Sequence, residues 1–405
     1  MYDAIIVGAR VAGSPTAMLL ARQGHRVLLV ERATFPSDVI SGLYIRLPGM
    51  AQLQRWGLMD RVAALGAPSI DRFTFDVGPF ALEGTPPPME GVGASFMPRR
   101  RLLDPMLARA AVDAGAELRT GFAVQELVWE GDRVVGIRGR SAAGTTVTEL
   151  ARVVIGADGP RSFVARSVQA PLYNTRPTLT CSYQSYWSGV PVNGIELYVR
   201  EGQFIVVGPT NEGLAQVSIT WPSREFHAVR ADIDGAFFRA LDQHAPALAD
   251  RVRSGRREEN YSGMADMTNF FRTPSGPGWA LVGDAGYHKD PITAQGITDA
   301  LIGAEMLSHT LHRGLSQQQP LDEALAEYQR RRDAPVMPMY EMTVQLAALE
   351  SPPSHVQALF QALRGNQAEI NRFLGTAEGT VSIPDFFAPE NLQRILAKVP
   401  AAQVA

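Results

Sequence analysis

IIVGARVAGSPTAM, residues 5–18, has the form of the first turn of a dinucleotide-binding domain with one position altered. Such turns read G-x-G-x-x-G, and the second glycine lets the backbone approach a pyrophosphate. Here Gly8 and Gly13 stand in the first and last positions, and Arg10 stands in the second. The run DAIIV, residues 3–7, reads as a buried strand, Gly8 as a tight turn, and Gly13 as the site of close helix–strand packing. Ser14-Pro15 is tolerated in a first helical turn, where the missing N–H has no intrahelical partner. AMLLARQG then reads as helix, ending at Gly24, and HRVLLVER as a second strand. That strand ends in Glu31, where an acid accepts from a ribose 2′-OH and opposes a 2′-phosphate, favouring FAD or NAD over NADP. Arg10 has two readings. Its guanidinium pairs with the pyrophosphate, or it points to solvent.

Composition narrows the class. The chain has 405 residues, 45% of them hydrophobic, and a formal net charge of -3. That length suits two or three domains, and the charge gives no sign of a nucleic-acid surface. The single cysteine, Cys181, excludes an internal disulfide framework and suits a reducing compartment. No apolar run has the length of a membrane span, because Arg10, Gly13 and Pro15 interrupt the N-terminal one. That run also lacks the basic start of a secretion signal, so a soluble, cytoplasmic protein is expected. No metal-ligand set is read from the chain. Of the 38 cationic residues only Lys289 and Lys398 are lysines.

Two later motifs decide the cofactor. RVVIGADGPRSFVAR, residues 152–166, ends a strand in Asp158-Gly159. GWALVGDAGYHKDPITAQGITDALIGAEML, residues 278–307, gives a strand, then Gly283-Asp284, a loop with Pro291, and a long helix after Gln295-Gly296. NAD needs no such corners, whereas a longer cofactor whose ribityl chain and ring cross the domain does. In this order and spacing the three motifs resemble the p-hydroxybenzoate hydroxylase family of FAD-dependent monooxygenases (group A). RRRLLDPMLARAA adds Arg100-x-x-Leu103-Asp104-x-x-Leu107, similar to a family helix whose arginine contacts FAD.

The resemblance implies an α/β fold: a Rossmann-type FAD-binding domain, an inserted mixed or antiparallel-sheet substrate domain, and a helical C-terminal region. The expected boundaries are 1–70, 98–170 and 278–340 for FAD, 71–97 and 171–277 for substrate, and 341–405 for the C-terminal region. It implies cofactor contacts at Gly8, Arg10, Val11, Ala12, Gly13, Glu31, Arg32, Arg100, Val124, Asp158, Gly159, Asp284, Pro291, Gln295, Gly296 and Ile297. Asp284 would accept from ribityl hydroxyls, and Gly296 and Ile297 would aim helix N–H groups at the flavin edge, which is negative when reduced. Asp158 reads equally as a helix cap. The chain departs from the family at Gly286-Tyr287, which displaces histidine to His288, and at Thr293, where a glycine often stands.

In the second domain, TLTCSYQSYWSGV, GIELYVR, QFIVVGP and AQVSITWPS read as an antiparallel sheet. Tyr183, Tyr186, Trp187, Tyr198, Phe204 and Trp221 are its candidate pocket wall. Ser41 to Arg46 should lie near the flavin, making Tyr44 and Arg46 catalytic candidates. His288 and Lys289 are candidates for moving a proton, and the plain alternative for Lys289 is a solvated pair with Asp290. LDEALAEYQRRRDAPVMPMYEMT should be a helix interrupted near Pro335 and Pro338.

The implied reaction is monooxygenation. NAD(P)H reduces FAD, O2 adds at flavin C4a, and the hydroperoxide gives oxygen to an aromatic or polyketide-like small molecule. A dehydrogenase or double-bond reductase of the geranylgeranyl reductase type is the alternative, and a non-catalytic flavin sensor stands further off. A halogenase is disfavoured, since W-x-W-x-I-P is absent and no lysine precedes Lys289. Oligomeric state is not read from the sequence.

Overall fold

In the computed structural model residues 1–397 are described, and Lys398 lies outside them. The chain begins with strand β1 (Tyr2–Val7), helix α1 (Gly13–Arg22) and strand β2 (Val27–Glu31). Both strands are apolar through their middle because both sheet faces are covered, as a parallel sheet requires. A coil, residues 32–42, leads to helix α2 (Leu47–Arg55), after which β3 (Phe73–Asp76) and β4 (Ala81–Gly84) leave for a second sheet. Helix α3 (Arg100–Asp113) returns to pack on α1 and is followed by β5 (Glu117–Thr120). The hairpin β6 (Ala123–Glu130) and β7 (Arg133–Arg140) then feeds the long strand β8 (Thr146–Gly156). The first half of β8 pairs with β7 antiparallel, and its second half lies parallel to β1.

The second sheet is built from β9 (Thr180–Ser188), β10 (Ile195–Arg200), β11 (Gln203–Pro209) and β12 (Ala215–Pro222). Its central order is β9–β12–β11–β10–β3–β4, antiparallel except where β10 meets β3. Helices α4 (Ile233–His244) and α5 (Pro246–Ser254) cover one face.

The chain re-enters the first sheet as β13 (Trp279–Leu281), parallel to β8. This completes the parallel core order β5–β2–β1–β8–β13. Ligands of such sheets bind beyond the strand C-termini, at the strand where the order reverses, here β1. Helix α6 (Gly296–Leu315) starts at that edge and packs on α1 and α2. Helix α7 (Leu321–Ala347) runs through Pro335 and Pro338 without the expected break. Each proline removes one N–H donor, but Tyr340, Thr343 and Ala347 beyond them are buried, and this packing holds the second half in line. Helices α8 (Ser354–Leu363) and α9 (Gln367–Glu378) close the C-terminal side, α9 against β4.

Candidate active site

The three motifs converge on one edge. Gly8 has φ +105°, and a Cβ there would lie 2.4 Å from the Ala157 carbonyl oxygen, so the first and second motifs touch through backbone. Gly283 has φ +61°, and its Cβ would lie 2.8 Å from Ala12 Cβ, so the third touches the first. Among the described residues nothing accepts from the N–H groups of Arg10, Val11, Ala12 or Gly13. That turn and the start of α1 thus present a row of free donors, the local requirement for an anionic diphosphate.

Glu31, buried at the end of β2, accepts from Ala9 N and Ala33 N, both at 3.0 Å, and so ties the turn to the strand. Two hydrogen bonds leave a carboxylate with further acceptor capacity for a ribose hydroxyl. Arg10 does not hang free in solvent. Its Nη1 donates to Asp104 Oδ2 at 2.6 Å and its Nη2 to Ser37 Oγ at 3.0 Å. Asp104 is fully buried and also receives Arg100 Nε at 2.9 Å, while Arg100 Nη1 reaches Ser41 Oγ at 2.9 Å. Two arginines share this one carboxylate beside the turn. Arg32 is exposed, and Val124 is half-buried on β6.

Asp158 caps a short helix. It accepts from Ser162 Oγ at 2.5 Å, Phe163 N at 2.7 Å and Val164 N at 3.3 Å. Burial pushes its carboxyl above the ordinary value despite these donors. Gly159, with φ +81°, completes the turn into this cap.

The third motif builds the opposite wall. Asp284 is half-buried and receives no hydrogen bond among the described residues. Burial raises its pKa, His288 opposes the rise, and Asp299 adds to it. A carboxyl raised by burial and left without donors is one that a ligand's hydroxyls would satisfy. The N–H groups of Gly296, Ile297 and Thr298 at the start of α6 are likewise without acceptors. Lys289 corrects the expected pair with Asp290. Its buried ammonium pairs with Asp299 on the first turn of α6 and donates to Tyr287 Oη at 2.8 Å. Asp290 instead accepts from Thr180 Oγ1 at 2.6 Å and caps Ile292 N at 3.0 Å, joining the loop to β9. His288 Nδ1 lies 2.7 Å from the Thr268 carbonyl, its ring stacked on Phe270.

Arg46 is spent on the backbone. Its Nε donates to the Thr293 carbonyl at 3.0 Å, Nη2 donates to the same oxygen, and Nη1 meets Glu378 Oε1 at 2.5 Å. Tyr44 is buried, its hydroxyl has no partner among the described residues, and burial holds its phenol well above the ordinary value. Gln295 Nε2 reaches the Ala377 carbonyl at 3.2 Å. The donor row, the ribose acid, the unpaired Asp284 and the open end of α6 together fit FAD.

The family described as FAD binding domain matches residues 1–343. The chain belongs to that family. It is 26% identical over 342 residues to the digeranylgeranylglycerophospholipid reductase of Methanocella arvoryzae, an alignment covering 81% of each chain. Among solved structures, the flavin-dependent brominase Bmp2 superposes with a TM-score of 0.82 at 18% identity, covering 98% of each chain. PqsL, a probable FAD-dependent monooxygenase from Pseudomonas aeruginosa, superposes with a TM-score of 0.70 at 22% identity, covering 91% of this chain and 99% of that one. At such identities these two establish the fold alone. Reduction, bromination and monooxygenation are all represented on it, so the protein is an FAD-dependent oxidoreductase whose reaction must be argued from its own residues.

Across from the FAD site the second sheet presents one face. Strand alternation puts Tyr183, Trp187, Tyr198 and Trp221 on the other face, in a core with Phe237, Leu241 and Leu248 of α4 and α5. Of the six aromatic candidates only Tyr186 and Phe204 face the FAD side. Arg99 lies over the Tyr186 ring at 3.9 Å, and Phe204 packs with Ile292 and Leu349. The middle of that inner face is polar. Cross-strand pairing aligns Ser182 with Thr220, Gln184 with Ser218, and Tyr186 with Gln216. Ser182 Oγ lies 3.2 Å from Ser218 Oγ, Gln184 Nε2 reaches the Ser41 carbonyl at 3.3 Å, and buried Gln216 Nε2 has no partner among the described residues. The aromatics drew the sequence reading, whereas the inner row is polar. Its signal, polar residues alternating with aromatics along TCSYQSYW, was present in the chain.

Proposed function

We propose that this chain is an NAD(P)H-dependent monooxygenase that hydroxylates an aromatic or polyketide-like small molecule. The observation carrying this reading is the polar inner row Ser182, Gln184, Gln216, Ser218 and Thr220. A buried row of hydroxyls and amides favours a substrate rich in oxygen or nitrogen, because each unmatched polar group costs free energy. The same row disfavours a long prenyl chain, the substrate class of a lipid reductase. Halogenation is disfavoured by the absence of any lysine before Lys289.

Bound FAD would supply hydride acceptance and oxygen activation. The chain supplies the rest. The donors of residues 10–13, Glu31 and Asp284 bind and orient the cofactor, and the start of α6 offers N–H groups where negative charge develops. The sheet orients substrate, while Phe204, Ile292 and Leu349 exclude water on one side. Lys289, held by Asp299 and Tyr287, and His288, placed against the Thr268 carbonyl, are the groups this loop offers for moving a proton.

The test is turnover of FAD-loaded protein with NADH or NADPH, a panel of phenolic and polyketide substrates, and 18O2. Substrate-stimulated NAD(P)H oxidation with 18O in the product is expected. Anaerobic saturation of an alkene, with no oxygen incorporated under air, would overturn the reading in favour of the reductase.

A further inference from the structure

Arg46 and Glu378 form a nearly dry ion pair, with side-chain exposures of 7% and 0%. Glu378 ends α9, outside the residues that match the family. Its Oε1 takes Arg46 Nη1, and its Oε2 accepts from Ser95 Oγ at 3.1 Å and Leu47 N at 3.3 Å. The other edge of the same guanidinium forks onto one carbonyl, that of Thr293. The next residue, Ala294, has φ +49°, a left-handed conformation that a residue with a Cβ keeps only where its surroundings impose it. Gln295 follows and is tied to Ala377, and Gly296 opens α6. Arg46 N also donates to Thr298 Oγ1 on the first turn of α6, at 3.0 Å.

We propose that the Arg46–Glu378 pair sets the conformation of the Thr293–Gln295 loop, and thereby the aim of the α6 N–H groups at the cofactor. Arg46 and Glu378 are then positioning residues. A buried ion pair adds little net stability over a well-packed apolar pair, but it fixes geometry, because each partner must be met at defined distances. Glu378 keeps the guanidinium in place, the planar fork holds the Thr293 carbonyl, and the strained Ala294 turn follows from that grip. The C-terminal region in this way reaches the site it covers. The proposal rests on FAD binding and not on the class of reaction, so monooxygenation can fail while it stands.

Arg46→Lys is the central variant. Lysine keeps a charge for Glu378 but cannot fork onto Thr293. Glu378→Gln keeps the shape at Glu378 without its charge, and Arg46→Met with Glu378→Leu removes the pair while filling the space. Apoprotein is titrated with FAD by fluorescence quenching, the midpoint potential is read by dye equilibration, and thermal unfolding is followed in parallel. In folded Arg46→Lys and the double variant, FAD should bind on the order of tenfold more weakly, with a lower midpoint potential. Glu378→Gln should shift both in the same direction by less. Wild-type affinity and potential in Arg46→Lys would overturn the proposal. Should the double variant fail to fold, Arg46→Lys decides alone, since it retains the ion pair.

Discussion

The turn between β1 and α1 and the loop from Tyr287 to Gln295 face the same cofactor edge but are held in different ways. The first is shaped by backbone. Gly8 abuts Ala157, and Glu31 binds N–H groups at Ala9 and Ala33. The second is shaped by side chains from distant parts of the chain: Arg46, Thr180, Asn269, Thr343 and Glu378 all reach it or its immediate partners. A glycine-encoded turn tolerates no added atom, whereas a clamped loop depends on partners that can be weakened one at a time.

The largest effect is expected where the backbone itself is struck. Gly8→Ala combines a left-handed conformation with a Cβ driven into the Ala157 carbonyl. Strain of about 1–2 kcal/mol and overpacking of about 1–3 kcal/mol together predict a loss of roughly 2–5 kcal/mol. Purified protein should carry no FAD and melt well below wild type. A yellow Gly8→Ala protein with an unchanged melting temperature would break the contrast between the two regions.

Next is Lys289→Met in the clamped loop. It strands Asp299, whose charge already acts on Asp284, without its cation. Removing one partner of a buried pair costs about 3–5 kcal/mol, and the partial exposure of Asp299 places this case near 3 kcal/mol. Lys289→Met with Asp299→Asn should recover much of that loss in denaturant melts. Additive losses in the double variant would mean that the pair is not what holds this end of the loop.

How much of this was legible follows the same divide. Gly8, the strand ending in Glu31 and the order of the three motifs could be read because each depends on neighbours or on backbone chemistry written locally. The hold of Glu378 on Arg46 could not, since 332 residues separate the partners and neither sits in a periodic pattern. The aromatics of β9 fall between. Alternation separates Tyr183 and Trp187 from Tyr186, but every residue from Thr180 to Trp187 is buried, so burial of the strand does not say which face meets α4 and α5. The unbroken α7 is a third kind, because tertiary packing overrode a local proline signal.

Arg10 sharpens the comparison, being a side chain that enters the backbone-shaped turn. Its guanidinium, held by Asp104 and Ser37, is expected to add attraction for a pyrophosphate. Arg10→Ala should weaken FAD by about 1.5–3 kcal/mol, the range of a hydrogen bond to a charged group. Arg10→Gly should cost less, because it restores the clearance the turn usually has. Equal affinity for wild type and both variants by fluorescence titration would confine Arg10 to bracing Asp104 and Ser37.

The smallest effect lies at the seam behind both regions. His25, just before β2, has Nε2 3.0 Å from Nδ1 of His312, in the last turn of α6. The helix that opens at the clamped loop therefore ends against the strand that carries Glu31. Burial lowers the His25 pKa below 6.5, Asp3 opposes the shift, and His312 and Arg152 add to it. The fold thus resists a proton that the unfolded chain accepts below its ordinary histidine value. Stability from this site is complete above about pH 6.5 and declines as pH falls through that value, levelling off once the folded form is protonated too. Denaturant melts of His25→Asn between pH 7.5 and 5 should lose part of the acid slope seen in wild type, with little change at pH 7.5. Parallel slopes in the two proteins would place the acid sensitivity elsewhere, and a large loss at neutral pH would make His25 a packing residue.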